Sequence, residues 1–331
     1  MFMVYTVSLC VSNAFTKINR FTIQTLLSKK DDLVQEANQF VSKIREQISL
    51  LGADNVYNSN QSGFNYESHA GRTLSFKGTA KVECLTQSKN SLTHSYTIQP
   101  IVSASELLKS PLFIVLQETD GQFGPVVKIN IYKAENIVVV PSKSGKLSSD
   151  LAVQWYKDIY LPVVDKQSVL CLGQTKKNFD NVCLEGKDVN IFTIPAGTTG
   201  MIQPLHVYGF RPWKNFLKHF SDLVILYSLD VNLHARNNVL KLQSLIHNQF
   251  SSARFVKMFK YAWYKSGYIQ EKPPKCKTPV RYCFENCDTS CKYCKDNALN
   301  RCAWCTHYIC FTHFFDPSNQ SVPHYCKDYK K

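Results

Sequence analysis

A chain of 331 residues leaves room for about two domains, and hydrophobic residues at 44% supply ample material for a core. The 39 Lys and Arg outnumber the 25 Asp and Glu, for a formal net charge of +14, which favours a polyanionic partner such as nucleic acid. This composition excludes a disordered or low-complexity chain, and no apolar run reaches the roughly 18–20 residues that span a bilayer. The opening MFMVYTVSLCVSNA has the apolar character of a short signal peptide but lacks its basic n-region. It reads as the start of an ordered chain or as an upstream element cut short.

In chain order, the first regular pattern runs over 31–51. Leu33, Val34, Ala37, Phe40, Val41, Ile44, Ile48 and Leu51 share one face of a helix, and Gly52 stands where a C-terminal cap belongs. A short strand at Asn55–Ser59 precedes a turn at Gln61–Gly63. Strands follow at Arg72–Phe76, Ser95–Val102 and Leu112–Gln117, the last a continuous apolar run suited to burial on both faces. Ile137–Val140 is another. Ser148 and Ser149 offer caps to a helix through Leu151, Trp155 and Ile159 that stops at Pro162. Strands at Val169–Leu172 and Val189–Ile194 come next. A helix opened by Pro204 presents Trp213, Phe216, Leu217, Phe220, Val224 and Leu226, and helices at Asn237–Phe250 and Ala253–Lys265 complete the series. EKPPK at 271–275 reads as a linker. Strands first, then alternation, then helices predict an α/β domain with a mixed sheet.

Three stretches carry more. They are VYNSNQSGFNYE with SHAGRTLSFKG after it, SVLCLGQTKKNFD, and FTIPAGTTGMIQPLHVYGFRPWKNF. Together, over about Ala53–Tyr268, they resemble the DDE transposases of the mariner/pogo superfamily, which includes Tigger-like and Jerky-like members. The resemblance implies an RNase H-like, retroviral integrase-type mixed sheet with flanking helices. It also implies a site where three acids hold two divalent ions, one activating the attacking oxygen and one the leaving oxygen. Hard Mg²⁺ or Mn²⁺ needs oxygen ligands at those points. Here the sequence departs from the family. Asn60-Gln61-Ser62-Gly63 stands where the family has Asp-Gln-Ser-Gly. Gly173 stands at the second acid, after the apolar strand, and His206 ends QPLH where the family has QPLD. One neutral oxygen, no side chain and an imidazole do not make a Mg²⁺ site, so neither Mg nor Mn is expected at the core. Glu67, Asp180 and Asp188 lie nearby in sequence and read as ordinary surface acids. His206 alone reads as a solvated or packed side chain rather than the ligand of a softer metal.

Of the 13 cysteines, nine crowd into 276–326. A disulfide-rich secreted scaffold spreads its cysteines more evenly; spaced pairs with histidines point to zinc. The pairs are Cys291-x2-Cys294, Cys302-x2-Cys305, Cys310-x2-His313 and His324-x-Cys326. Two-residue spacers let both side chains converge on one tetrahedral ion, and eight ligands suit two structural zinc ions. The favoured pairing is cross-braced: Cys291, Cys294, Cys310 and His313 hold one ion, and Cys302, Cys305, His324 and Cys326 the other. A sequential pairing remains open, with Cys276, Cys283, Cys287 and His307 as spare ligands. Lys275, Lys277, Arg281, Lys292, Lys295 and Arg301 give the tail a basic character suited to phosphate contacts.

The expected organisation is a helical N-terminal segment over 1–52, a remnant of something longer, then a DDE endonuclease-like core over 53–268. A linker over 269–281 and a Cys/His zinc module over 282–331 follow. The expected function is that of a nuclear, transposase-derived protein, not an enzyme, that binds DNA or chromatin without cutting. DNA is its expected partner, with a homodimer or protein partners also open, and no membrane. The competing expectations are a protein-interaction scaffold, a decaying transposon copy, and a residual metal-dependent endonuclease or strand-transfer enzyme.

Overall fold

The computed structural model describes residues 13–66, 95–173, 179, 182, 186–316, 324 and 326, with side chains from residue 31 onward. The strand expected at Arg72–Phe76 lies outside the described residues, as do Glu67 and Asp180.

A long helix, α1 (Asn13–Leu51), leads into the sheet. It begins well before the periodic stretch that announces it, and Ala37, Phe40, Val41 and Ile44 are the residues it buries. Gly52 ends it at φ 84°, with its N–H bonded to Ile48 O at 3.0 Å, the left-handed stop that glycine adopts without steric cost. The strands are β1 (Val56–Ser59), β2 (Ser62–Asn65), β3 (Ser95–Ser103), β4 (Leu108–Gln117), β5 (Ile137–Ser142), β6 (Gln167–Leu172) and β7 (Asp188–Thr193). Residues 61–63, expected to form a turn, instead lead straight into β2. The chain breaks at Asn60-Gln61 and then pairs on with β3, Ser62 opposite Ile98 and Asn65 opposite Ser95.

The sheet order is β5-β4-β3-β1-β6-β7, with β2 also on β3. β3 is antiparallel to both β1 and β4, whereas β1–β6, β6–β7 and β4–β5 are parallel. An antiparallel meander extended by parallel strands beside its first member is the mixed RNase H-like architecture expected above, here with β5 added on the meander's far edge. Alternate residues feed two cores, because successive strand side chains point to opposite faces. Leu112, Ile114, Leu116, Val169 and Cys171 enter one; Phe113, Val115, Leu170 and Leu172 enter the other.

The smaller core is covered by α3 (Ser149–Trp155), whose cap Ser148 Oγ accepts from Leu151 N at 3.3 Å. The helix ends one residue past Pro162, at Val163. A wide turn over Tyr156–Tyr160 carries it into α4 (Leu161–Val163), and the widened turn removes the clash a proline ring makes with the carbonyl four residues back. The larger core is covered by α1 and by helices from the second half of the chain. After α2 (Pro125–Asn130), between β4 and β5, these are α5 (Thr199–Ile202), a wide turn Leu205–Gly209, α6 (Phe210–Leu226), α7 (Arg236–Phe250) and α8 (Val256–Lys265). α6 buries Trp213, Phe216, Leu217, Phe220 and Val224, but Leu226, counted on that face from sequence, is 71% exposed at the helix end.

The linker expected over 269–281 is shorter: Thr278 caps a new helix, α9 (Pro279–Phe284), whose Pro279 and Cys283 are buried. The remaining elements are the hairpin β8 (Asn300–Arg301) and β9 (Tyr308–Ile309), and α10 (Phe311–Phe314). Cys283, Leu299, Ala303, Ile309, Phe314 and Phe315 belong to the same buried cluster as Phe216, Phe220 and Phe250. The tail therefore shares the main core instead of forming a separate one. Among the described residues, no helix is long and apolar enough to cross a membrane.

Candidate metal centres and the cleft at the strand ends

The tail gathers its ligands in two foursomes. Cys291, Cys294, Cys310 and His313 form one, and Cys302, Cys305, His324 and Cys326 the other, with the candidate ligand atoms of each within 4.8 Å of one another. These are the two sets of the cross-braced pairing. The hairpin produces the interleaving. β8 and β9 put Cys302 at the turn end of the hairpin and Cys310 at its open end, so each Cys-x2-Cys unit meets a partner pair from beyond its neighbour.

In the first foursome, Cys310 Sγ lies 3.1 Å from His313 Nδ1, Cys294 Sγ lies 3.5 Å from Cys310 Sγ, and Cys294 and Cys291 lie 3.6 and 3.7 Å from His313 Nδ1. In the second, Cys305 Sγ is 3.5 Å from His324 Nε2. Ligands roughly 2.0–2.3 Å from a shared centre in a tetrahedron stand about 3.3–3.8 Å apart, so both foursomes have the dimensions of a tetrahedral ion site. Three thiols and one imidazole in each can hold a soft or borderline metal ion. The histidines face their centres through different nitrogens, Nδ1 in His313 and Nε2 in His324. The spare candidates stand apart. Cys283 is buried in the core, Cys287 Sγ points to Cys283 O at 3.4 Å, and Cys276 is exposed.

α7 positions the second foursome. Gln249 Oε1 accepts from Ala303 N at 2.6 Å, Trp304 Nε1 donates to Asn248 O at 2.7 Å, and Ala303 O accepts from Ser252 Oγ at 2.9 Å and Arg254 Nε at 2.8 Å. The Cys302–Cys305 loop is thus bolted to the end of α7 through backbone groups that would otherwise be buried unpaired.

Of the basic residues read as phosphate contacts, Lys275, Lys277, Arg281, Lys292 and Lys295 are exposed. Arg281 pairs with Glu285 at 3.5 Å. Arg301 differs from these five. It is half-buried, its guanidinium sits over Tyr282 at 4.7 Å and Tyr308 at 5.5 Å, and its Nε donates to Thr306 O at 3.3 Å. It clamps the β8–β9 hairpin onto α9.

At the carboxyl ends of β1 and β6 lies a cleft of about 210 Å³ lined by Ser59, Asn60, Gln61, Gln99, Leu172, Gly173, Thr199 and Gln203. Asn60 and Gly173 meet there because β1 and β6 are parallel neighbours, with Val56 opposite Val169 and Asn58 opposite Cys171. Asn60 Oδ1 accepts from Gln61 N at 2.9 Å. A Cβ at Gly173 would meet nothing within 4 Å. His206 does not line the cleft. It is exposed on the wide turn after Pro204, beside Gly200. Asp188 is ruled out as a stand-in by register: it pairs with Gln167, whereas Leu172 pairs with Thr193. That puts it at the far end of the strand, roughly 17 Å away at about 3.3 Å per residue.

Two residues that the sequence did not single out, Asn58 and Gln203, hold this end of the sheet together, and a third, Gln99, lines it. Fully buried Asn58 donates to Cys171 O at 3.0 Å and accepts from Leu205 N at 3.3 Å, joining β1, β6 and the turn that carries His206. Gln203 Nε2 donates to Ser59 O at 3.2 Å. Gln99, 3% exposed, adds a third carboxamide from β3. Their positions inside the NSNQSG and IQPLH stretches were the available signal for the first two; nothing in the sequence around Gln99 marks it.

Fold and site together define an RNase H-like mixed-sheet domain fused to a tail with two Cys/His centres. Residues 263–326 match the family model described as the Tc5 transposase C-terminal domain, so this part of the chain, including the whole of both foursomes, is similar to part of a transposase. Two solved structures are similar over most of the chain. The Mos1 strand transfer complex shares 8% identity at a TM-score of 0.38, covering 72% of this chain and 63% of that one. The Mos1 mariner paired end complex with Mn shares 5% at a TM-score of 0.39, covering 74% and 64%. This chain spans less than two thirds of the length of those structures. No curated protein matches it.

Proposed function

We propose that this is a transposase-derived, nuclear protein that binds DNA through its Cys/His tail and does not cut it. The observation that carries the DNA reading is the exposure of Lys275, Lys277, Lys292 and Lys295 on and beside the two centres, in a chain of net charge +14. Such residues neutralise phosphates and position a protein on the duplex without reading its sequence. Zinc is the metal the donor sets suit: thiolate and imidazole ligands in closed tetrahedral foursomes are structural zinc chemistry. When bound, zinc supplies cross-links that fix the tail's loops. The chain's own residues then leave the lysines exposed, while Arg254 binds the tail to the core and Arg301 holds the hairpin on α9.

The absence of cutting is supported by the cleft at the strand ends. Among the described residues it presents carboxamides, a hydroxyl pair and Gly173, and no carboxylate. Two divalent ions a few ångströms apart repel one another and need anionic ligands to be held.

The experiment is a gel shift of the zinc-loaded chain on duplex DNA across a salt series, followed by a Mg²⁺/Mn²⁺ nicking assay on the same complexes. Binding should weaken steeply with salt, and Lys292→Glu with Lys295→Glu should reduce the salt slope by about 2. No nicked product should appear. Salt-independent or absent binding at low ionic strength refutes the DNA reading, and metal-dependent nicking refutes the loss of cutting.

A further inference from the structure

Tyr293 occupies an unusual place between the two centres. It sits inside the Cys291-x2-Cys294 unit, yet its ring packs against His313 of its own centre at 5.3 Å between centroids and against His324 of the other at 5.5 Å. Its backbone N–H donates to Cys291 Sγ at 3.4 Å. Its hydroxyl lies 2.8 Å from His324 Nδ1, the nitrogen on the opposite side of the imidazole from the Nε2 that faces Cys305. One residue thus serves the first centre with its main chain and the second with its side chain.

The chemistry of an imidazole ligand makes that second contact matter. A histidine that binds a metal through one nitrogen carries its proton on the other, and a partner for that N–H sets both the tautomer and the ring orientation. His313 presents Nδ1 to its centre, so the two histidines must be held in opposite orientations. His324 is 8% exposed, so a polar group on its outer nitrogen has little recourse to water.

We propose that Tyr293 is the positioning residue that couples the two centres: its phenol oxygen accepts from His324 Nδ1–H and holds that ring with Nε2 on the ion. This rests on metal occupancy of both foursomes. It makes the Cys302 centre depend on a residue carried by the Cys291–Cys294 loop, so that the loop's order is communicated from one ion to the other.

The test uses the full chain purified with zinc, compared with Tyr293→Phe, which keeps the ring between the two imidazoles and removes only the hydroxyl. Zinc is counted and then withdrawn by chelators of graded strength, and the ring nitrogens are followed by ¹⁵N NMR. The wild type should hold two zinc ions, with His324 bound through Nε2 and its Nδ1 proton in slow exchange. In Tyr293→Phe one ion should be lost to chelators about 10–100-fold weaker, the Nδ1 proton of His324 should exchange fast, and His313 should be unchanged. Equal zinc affinity with an unaltered His324 proton overturns the role of Tyr293 and leaves the metal centres standing, as does a His324 ligated through Nδ1. A wild-type chain that takes up no zinc overturns both.

Discussion

His247 is wholly buried on α7, where a charged imidazole has no solvent to stabilise it. Its Nε2 donates to Lys109 O at 3.0 Å and its Nδ1 faces Asn136 Nδ2 at 3.4 Å, so the neutral form, protonated on Nε2, satisfies both neighbours. Burial pushes its pKa down from 6.5 to about 4, against a smaller upward pull from the Lys109 carbonyl. A depressed folded-state value means the unfolded chain binds the proton first. The stability that the neutral ring contributes is complete above the unfolded pKa and is lost as pH falls from there through the folded one. Between about pH 7.5 and about pH 5 the native state should lose on the order of 2 kcal/mol from this residue, approaching about 3 kcal/mol below pH 4. Zinc ligands also take up protons in acid, so the measurement is a difference: urea unfolding of wild type and His247→Gln at both pH values. The variant has no proton to gain, and its pH dependence should be flatter by that amount. Parallel curves would show that His247 is not held neutral.

At the scale of elements, α7 shows where sequence patterning stops being informative. Its alternation of apolar and polar residues reads as an amphipathic surface helix, yet every residue from Val239 to Phe250 is buried. Several of the polar side chains are occupied inside the protein. Gln243 accepts from Trp213 Nε1 at 2.9 Å and donates to Tyr96 OH at 2.6 Å, Ser244 donates to Asn136 Oδ1 at 2.6 Å, and Gln249 receives Ala303 N. A helix facing the sheet on one side and the tail on the other needs polar residues that pair across both interfaces, and periodicity cannot distinguish those from solvated ones. The strands were more legible. Leu112–Leu116 and Val169–Leu172 are continuous apolar runs because both faces of the central sheet are covered, and the sequence shows that directly. Removing one of the α7 contacts tests the interface. In Gln249→Ala, the buried Ala303 N–H loses its acceptor, which should cost about 1–3 kcal/mol as a lower urea midpoint with an unchanged slope. A neutral substitution would mean that the Cys302–Cys305 loop does not dock on α7.

For the whole molecule, the central question is whether the tail is an appendage or part of the core. The eight candidate ligands were legible because chemistry fixes their spacing: a two-residue loop is what lets both ends of a pair reach one ion. Their attachment to the core was not, because the residues that make it (Phe314, Phe315, Leu299 and Ile309 on one side, Phe216, Phe220 and Phe250 on the other) are ordinary apolar residues separated by long stretches of chain. The cleft was legible at Asn60 and Gly173, which parallel pairing brings together, while His206, read from sequence as a solvated or packed side chain, is exposed on its wide turn. Phe220 alone stacks within 6.1 Å of Phe311, 6.0 Å of Phe314 and 5.5 Å of Phe315. With a shared core, withdrawing metal from the tail must loosen the sheet domain too. Ligand binding at 1,000 times its Kd adds about 4 kcal/mol per site, so stripping both centres should lower the midpoint of thermal unfolding by on the order of 10 °C. The transition should stay single, because the aromatic cluster that melts with the tail is the one that holds α6 and α7 on the sheet. A separate module would behave differently: the tail signal would vanish on chelation while the main transition kept its midpoint. Calorimetry with and without chelator separates the two outcomes.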